Sequence, residues 1–209
     1  MTVESLKSLE GNADKFMVRF EDGTELKVGS AQIADFSLYT GRELTAEEYE
    51  GLRGTLEQNT SKTRALRILG SRNLSAREIE KRLKSKGDSQ ETAQQTVEWL
   101  ENAGLVNDAE YATNIVSHYS AKGYGPARVK DELYKRGIPR ELMDEAMNSI
   151  ESDDEAAFSF IRKKLGEDRD RESINKTTAA LYRRGFSYED ARDAVRRYIE
   201  NSEGSEQDQ

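Results

Sequence analysis

The chain has no cysteine, only two prolines, one histidine and one tryptophan among its 209 residues. Without cysteine there is no disulfide, no thiolate nucleophile and no cysteine-bound zinc, which agrees with a reducing compartment. Two prolines leave little to interrupt helices. The lone histidine, His118, has no second imidazole or thiolate at metal-ligand spacing and reads as a surface residue on a helix. No run approaches the ~18 to 20 apolar residues that a membrane-spanning helix needs, and the opening MTVESLKSLEGN has neither the basic start nor the apolar core of a secretory signal. A cytoplasmic protein without membrane association is expected. A phosphate-binding loop, a dinucleotide fingerprint and a nucleophile elbow are also missing, so neither an enzyme nor a cofactor is expected.

What is present is charge, unevenly placed. Asp and Glu outnumber Lys and Arg by 40 to 32, for a net charge of -8. Residues 1–60 carry 6 basic against 12 acidic side chains, whereas 61–87 carry 9 against 2. A polyanion meets that local field and not the average. The end, ENSEGSEQDQ, is acidic and lacks large apolar side chains, so a disordered tail is expected over 201–209. The acidic stretch ESDDEAAF at 151–158 reads as a helix start whose carboxylates favour the dipole, ahead of a cation site.

The first 28 residues alternate apolar and polar side chains. KFMVRFEDGTELKV turns at Asp22-Gly23, where positive φ is tolerated, and VESLKSLE supplies a third strand, which predicts a small β meander. TAEE at 45–48 places Thr45 as N-cap and Glu48 as its capping-box partner, starting a helix near Ala46. Gly51 and Gly54 each lower its propensity by about 1 kcal/mol, so a bend or an end is expected there. From Ser61 onward only helical periodicity appears.

A repeat emerges when the chain is aligned on Gly87, Gly137 and Gly185, each preceded by a basic pair or its near equivalent in LKSKG, LYKRG and LYRRG. Before the glycines come Ile79 and Leu83, Val129 and Leu133, Thr177 and Leu181, one helical turn apart. After them, one helix face is traced by Ala93, Thr96, Val97 and Leu100, then by Met143, Ala146, Met147 and Ile150, then by Ala191, Ala194, Val195 and Tyr198. A further helix leads each pair: TRALRIL, DAEYATNIVSHY and DEAAFSFIRKKL, the last two aligned on their aspartates so that Val116 stands opposite Arg162. The fold expected is mainly α, a tandem array of three three-helix repeats, elongated and curved, after an N-terminal β meander. Its boundaries fall at 1–60, 61–105, 106–151 and 152–200, followed by the tail.

SAREIEKRLKSKG, LENAGLVNDAEYA, GPARVKDELYKRGI and the third LYRRGF together resemble the RecX family of bacterial regulators of the RecA recombinase. The resemblance covers roughly residues 61–200, and the strand-rich start is similar to an extension found in some members. It implies a monomeric regulator that is not an enzyme, whose partners are RecA and single-stranded DNA. Such a regulator would lie along the filament groove and restrain filament growth, strand exchange and ATP hydrolysis in recombination and repair. One position departs from the pattern: Asp88 follows Gly87 where the family has an apolar residue.

The cations divide by cause. Lys86, Arg136 and Arg184 stand just before the repeat glycines, where a helix C-terminus favours positive charge and glycine takes the left-handed cap, so a structural reading leads there. Arg64, Arg67, Arg72, Arg77, Lys81, Arg82 and Lys84 exceed what nearby carboxylates can pair, and Arg128, Lys130, Lys135 and Arg183 complete the candidate RecA or DNA contacts. A solvated helix face and a polyanion contact both stay open for these. Tyr134 and Tyr182 share one repeat position; partial burial with a wet hydroxyl is expected ahead of stacking on bases. DNA binding by the helical repeats without RecA is the alternative function.

Overall fold

The computed structural model describes residues 1–9, 11–148, 154–166 and 169–204. The alternating start forms β1 (Val3–Leu9), β2 (Asn12–Phe20) and β3 (Glu25–Gly29), an antiparallel sheet in chain order. At the second turn Gly23 has φ +86, and the Asp22 carboxylate accepts hydrogen bonds from the Thr24 amide and hydroxyl, each at 2.9 Å. Pairing Phe16 with Val28 and Val18 with Leu26 puts Val18, Phe20 and Val28 in one core with Val3, Leu38, Leu44 and Leu52.

A short helix with no forerunner in the sequence pattern, α1 (Ser30–Asp35), follows the sheet, and then comes α2 (Ala46–Leu69). Thr45 Oγ1 accepts from the Glu48 amide at 3.1 Å while Glu48 Oε2 accepts from the Thr45 amide at 2.8 Å, the reciprocal cap expected. The end expected at Gly51 or Gly54 is absent: α2 continues through both as one helix of 24 residues. Leu52 between the glycines is fully buried, and burying a leucine contributes about 1.5–3 kcal/mol, enough to offset their propensity cost. The same helix continues into the first repeat, burying Ser61 and Ala65.

The remaining helices are α3 (Ala76–Ser85), α4 (Gln90–Asn102), α5 (Asp108–Ala121), α6 (Pro126–Lys135), α7 (Arg140–Asn148), α8 (Asp154–Leu165), α9 (Arg171–Arg183) and α10 (Tyr188–Gly204). Together with the end of α2 they make three three-helix repeats. The aligned positions are buried as the periodicity requires: Ile79, Leu83, Val129, Leu133, Thr177 and Leu181 are each no more than 1% exposed. The alignment of the leading helices needs a correction of one residue. Val116 is buried and Arg162 exposed, so the structural equivalent of Val116 is buried Ile161, as Ala157 is of Ala112. α10 also extends to Gly204, past residue 200, where the tail was expected to begin. The rest of that tail lies outside the described residues, as do residues 151–153 of the acidic stretch, from whose Asp154 α8 begins.

Packing divides the chain into two units. One consists of Met1–Gly70 and Leu83–Glu98, the other of Ser71–Arg82 and the chain from Trp99 onward.

Candidate partner-contact surface

Each repeat glycine closes its helix in the same way. Gly87, Gly137 and Gly185 have φ of +97, +73 and +98. The next amide reaches back to Leu83 O at 3.2 Å, to Leu133 O at 3.2 Å and to Leu181 O at 3.3 Å, in Asp88, Ile138 and Phe186 respectively. This is the left-handed cap that the sequence predicts.

The arginines before two of these glycines do more than answer a helix dipole. Within the second unit, the Arg136 carbonyl accepts from the Ser75 hydroxyl at the start of α3, and its Nη1 donates to the Tyr111 hydroxyl at 2.7 Å. The Arg184 carbonyl accepts from the Gly125 amide at 2.9 Å and the Gly185 carbonyl from Ala127 at 3.0 Å, at the start of α6. The Arg184 guanidinium donates to Lys122 O at 2.8 Å and Gly123 O at 3.3 Å, and lies 4.0 Å from the Phe160 ring centre and 5.0 Å from that of Tyr124. Arg136 and Arg184 therefore bolt the second and third repeats to the start of the second helix in the one before. Space is tight: a Cβ at Gly125 would stand 2.3 Å from Phe186 N, and one at Gly185 would stand 2.5 Å from Arg128 N. At Gly87 such an atom would meet nothing within 4 Å, and Lys86 beside it is exposed.

The same junctions hold a perturbed carboxylate. Asp108 Oδ1 accepts from the Ala76 amide at 2.9 Å. Half-burial pushes its carboxyl above the ordinary range; the Ala76 hydrogen bond pulls it down and the Glu78 charge adds to the rise. Burial and Glu78 likewise raise the Tyr111 hydroxyl, against the pull of Arg136, so Tyr111 stays neutral as a partner for that arginine.

Arg64 too has an intramolecular partner. It pairs with Asp88, which also accepts from the Ser61 hydroxyl at 2.9 Å, and the Asp88 side chain is only 9% exposed. Ser61 in turn accepts from the Thr96 hydroxyl at 2.8 Å. Asp88 thus anchors the start of the third helix by a polar network, where Ile138 and Phe186 use apolar side chains.

The other candidates face solvent to different degrees. Arg128 and Lys135 pair with Glu132 at 3.4 and 3.3 Å, and Lys130 with Asp144 at 3.3 Å; all three cations are exposed, and such pairs are worth little. Lys84 donates to Gln90, and Arg82 is half-buried with a partner inside the chain. Arg67, Arg72, Arg77, Lys81, Lys86 and Arg183 are exposed and make no ion pair among the described residues. Along α3, Arg77, Lys81 and Lys84 fall at i, i+4 and i+7 on the side opposite buried Ile79 and Leu83. Arg162, Lys163 and Lys164 form an exposed cationic run in the last turn of α8, beyond the cations that the sequence pattern singles out.

Tyr134 and Tyr182 overturn the partial burial expected of them: they are 75% and 60% exposed. His118 is exposed, with its ring against Tyr119. Among the described residues no three His, Cys, Asp or Glu side chains are grouped to hold a metal, and no helix is long and apolar enough to cross a membrane.

Three consecutive three-helix repeats that carry exposed cations define a tandem helical-repeat protein. Family models for the first, second and third three-helix domains of RecX match residues 62–100, 107–147 and 151–195. The chain is 33% identical over 148 residues to the regulatory protein RecX of Xanthomonas campestris pv. campestris strain B100, spanning 69% of this chain and 91% of that one. It is 36% identical over 142 residues to the regulatory protein RecX of Stenotrophomonas maltophilia strain R551-3, spanning 66% and 87%. The fold recurs in a crystal structure of a regulatory protein RecX, with TM-score 0.73 and 19% identity over 93% of this chain and 98% of that chain. It recurs also in RecX from Lactobacillus salivarius, with TM-score 0.61 and 23% identity over 69% and 96%. The chain belongs to the RecX family.

Proposed function

We propose that this chain is a regulatory protein that binds along the RecA filament on single-stranded DNA and restrains its activity in recombination and repair. The observation that carries the reading is the unbroken series of three RecX domains over 62–195, in the register that the glycine caps and arginine bolts require. Its relatives bear the name regulatory protein. Exposed cations on successive repeats supply many weak contacts. A filament offers repeated sites to such a series, and engaging several together favours the assembled polymer over free subunits. The chain acts by shifting an assembly equilibrium, as a cytoplasmic monomer that carries no cofactor. The candidate contacts are Arg67, Arg72, Arg77, Lys81, Lys84, Lys86, Arg128, Lys130, Lys135 and Arg183, with Arg162 to Lys164 added; Arg64, Arg82, Arg136 and Arg184 are left out because their partners are internal. The test is RecA-driven ATP hydrolysis and strand exchange with the chain at near-stoichiometric amounts. Both should fall; unchanged rates across salt conditions would contradict the reading, and salt-sensitive binding to bare DNA alone would favour an independent DNA-binding module.

A further inference from the structure

Five of the nine tyrosines of this chain are engaged within the fold. Tyr111 is bonded by Arg136, Tyr119 donates to Glu132 and packs against Tyr124, Tyr49 packs on Phe20, and Tyr198 on Phe158. The side chains of Tyr39, Tyr134, Tyr182 and Tyr188 have no ring or hydrogen-bond partner among the described residues and stand 59%, 75%, 60% and 62% exposed; of these four, Tyr134 and Tyr182 share one repeat position. Each follows a fully buried leucine, Leu133 or Leu181, and so projects away from its repeat core in the last turn of the second helix. Each is followed by an exposed cation, Lys135 or Arg183. Removing an aromatic ring from water is favourable, and nothing in the fold uses these two for that purpose.

We infer that Tyr134 and Tyr182 are stacking platforms for bases of single-stranded nucleic acid, with Lys135 and Arg183 set beside them for the phosphates. A nucleotide presents a flat π face and an anionic phosphate, and each repeat offers one ring and one cation to match. A protein surface also takes up tyrosine rings, and the test below separates that occupant from nucleic acid. Glu132 takes part of the Lys135 charge at 3.3 Å, whereas Arg183 is unpaired among the described residues, so the third repeat holds its phosphate more firmly. Stacking tolerates any base, so the platforms grip without reading sequence. The strand is the one that the filament carries, and in that respect the site rests on the filament reading above.

The test uses the full chain and labelled oligothymidine at low salt without RecA, beside an abasic strand of equal length. Tyr134→Ala and Tyr182→Ala should each weaken oligothymidine binding about tenfold, while Tyr134→Phe and Tyr182→Phe retain it. Wild type should favour the base-bearing strand over the abasic one. Thermal unfolding checks that these exposed substitutions leave the fold intact. Alanine variants that bind as wild type does, or equal binding of the abasic strand, overturn the platforms. If the alanine variants bind DNA normally but no longer restrain RecA-driven ATP hydrolysis, the rings touch protein, which also overturns them and leaves the filament reading standing. Loss of DNA binding by these variants, in a chain whose wild type leaves RecA unaffected, upholds the platforms and removes the filament reading.

Discussion

Arg184 and the lysine that could replace it carry the same charge, so a substitution there separates two physical causes. If a cation were needed only for the helix dipole, Arg184→Lys would be neutral. The guanidinium instead spans two carbonyl acceptors and lies over two rings, a geometry that an ammonium does not reproduce. Arg184→Lys should cost about 1–2 kcal/mol in urea unfolding, and an unchanged midpoint would restore the dipole explanation. Asp108 gives a second prediction with a definite sign. Its folded carboxyl titrates above its ordinary value of 3.8, so the folded chain takes up that proton more readily than the unfolded chain. The ionised group therefore detracts from stability at neutral pH, and the penalty disappears as pH falls through the raised value toward the ordinary one. Relative to Asp108→Asn, wild type should gain stability over that interval; parallel pH curves would rule this out. The glycine caps were legible in the sequence because a left-handed turn is local. The partners of Arg184 were not, because Lys122 and Gly123 lie 62 and 61 residues earlier and meet it only through folding.

Among the elements, α3, α6 and α9 were the most legible, since a buried pair one turn apart before glycine leaves a period of its own. Thr45 and Glu48 marked the start of α2 for the same local reason. The course of α2 beyond Gly51 was not readable, because it depends on Leu52 reaching a core formed mostly by the β meander. The leading helices were misaligned by one residue when aspartates served as the guide, since exposed carboxylates are not bound to a core register. Asp88 shows an element held in place by a substituted chemistry. Asp88→Ala leaves the Arg64 guanidinium and the Ser61 hydroxyl without their shared acceptor, at a cost of about 1–3 kcal/mol. Denaturant unfolding should register that loss, and Arg64→Ala added to it should cost little more, because the two residues form one interaction. Additive losses would show that they act separately.

At the scale of the whole molecule, a net charge of -8 coexists with nine basic against two acidic side chains over 61–87. Such a molecule is steered to polyanions by one segment and repelled from them elsewhere, which suits docking on a mixed protein and nucleic-acid polymer better than coating bare DNA. Arg77→Gln with Lys81→Gln should weaken filament binding and flatten its salt dependence, by about one unit of slope for each phosphate that is no longer neutralised. An unaltered slope would assign these two cations to solvent. Binding to the assembled polymer is the central claim, and sedimentation tests it most directly. The chain is mixed with RecA filaments on single-stranded DNA, with free RecA, or with the DNA alone, and the pellet is assayed. The account predicts saturable recovery with filaments and far less with either component; a chain that stays in the supernatant with filaments, or pellets equally with bare DNA, would contradict it.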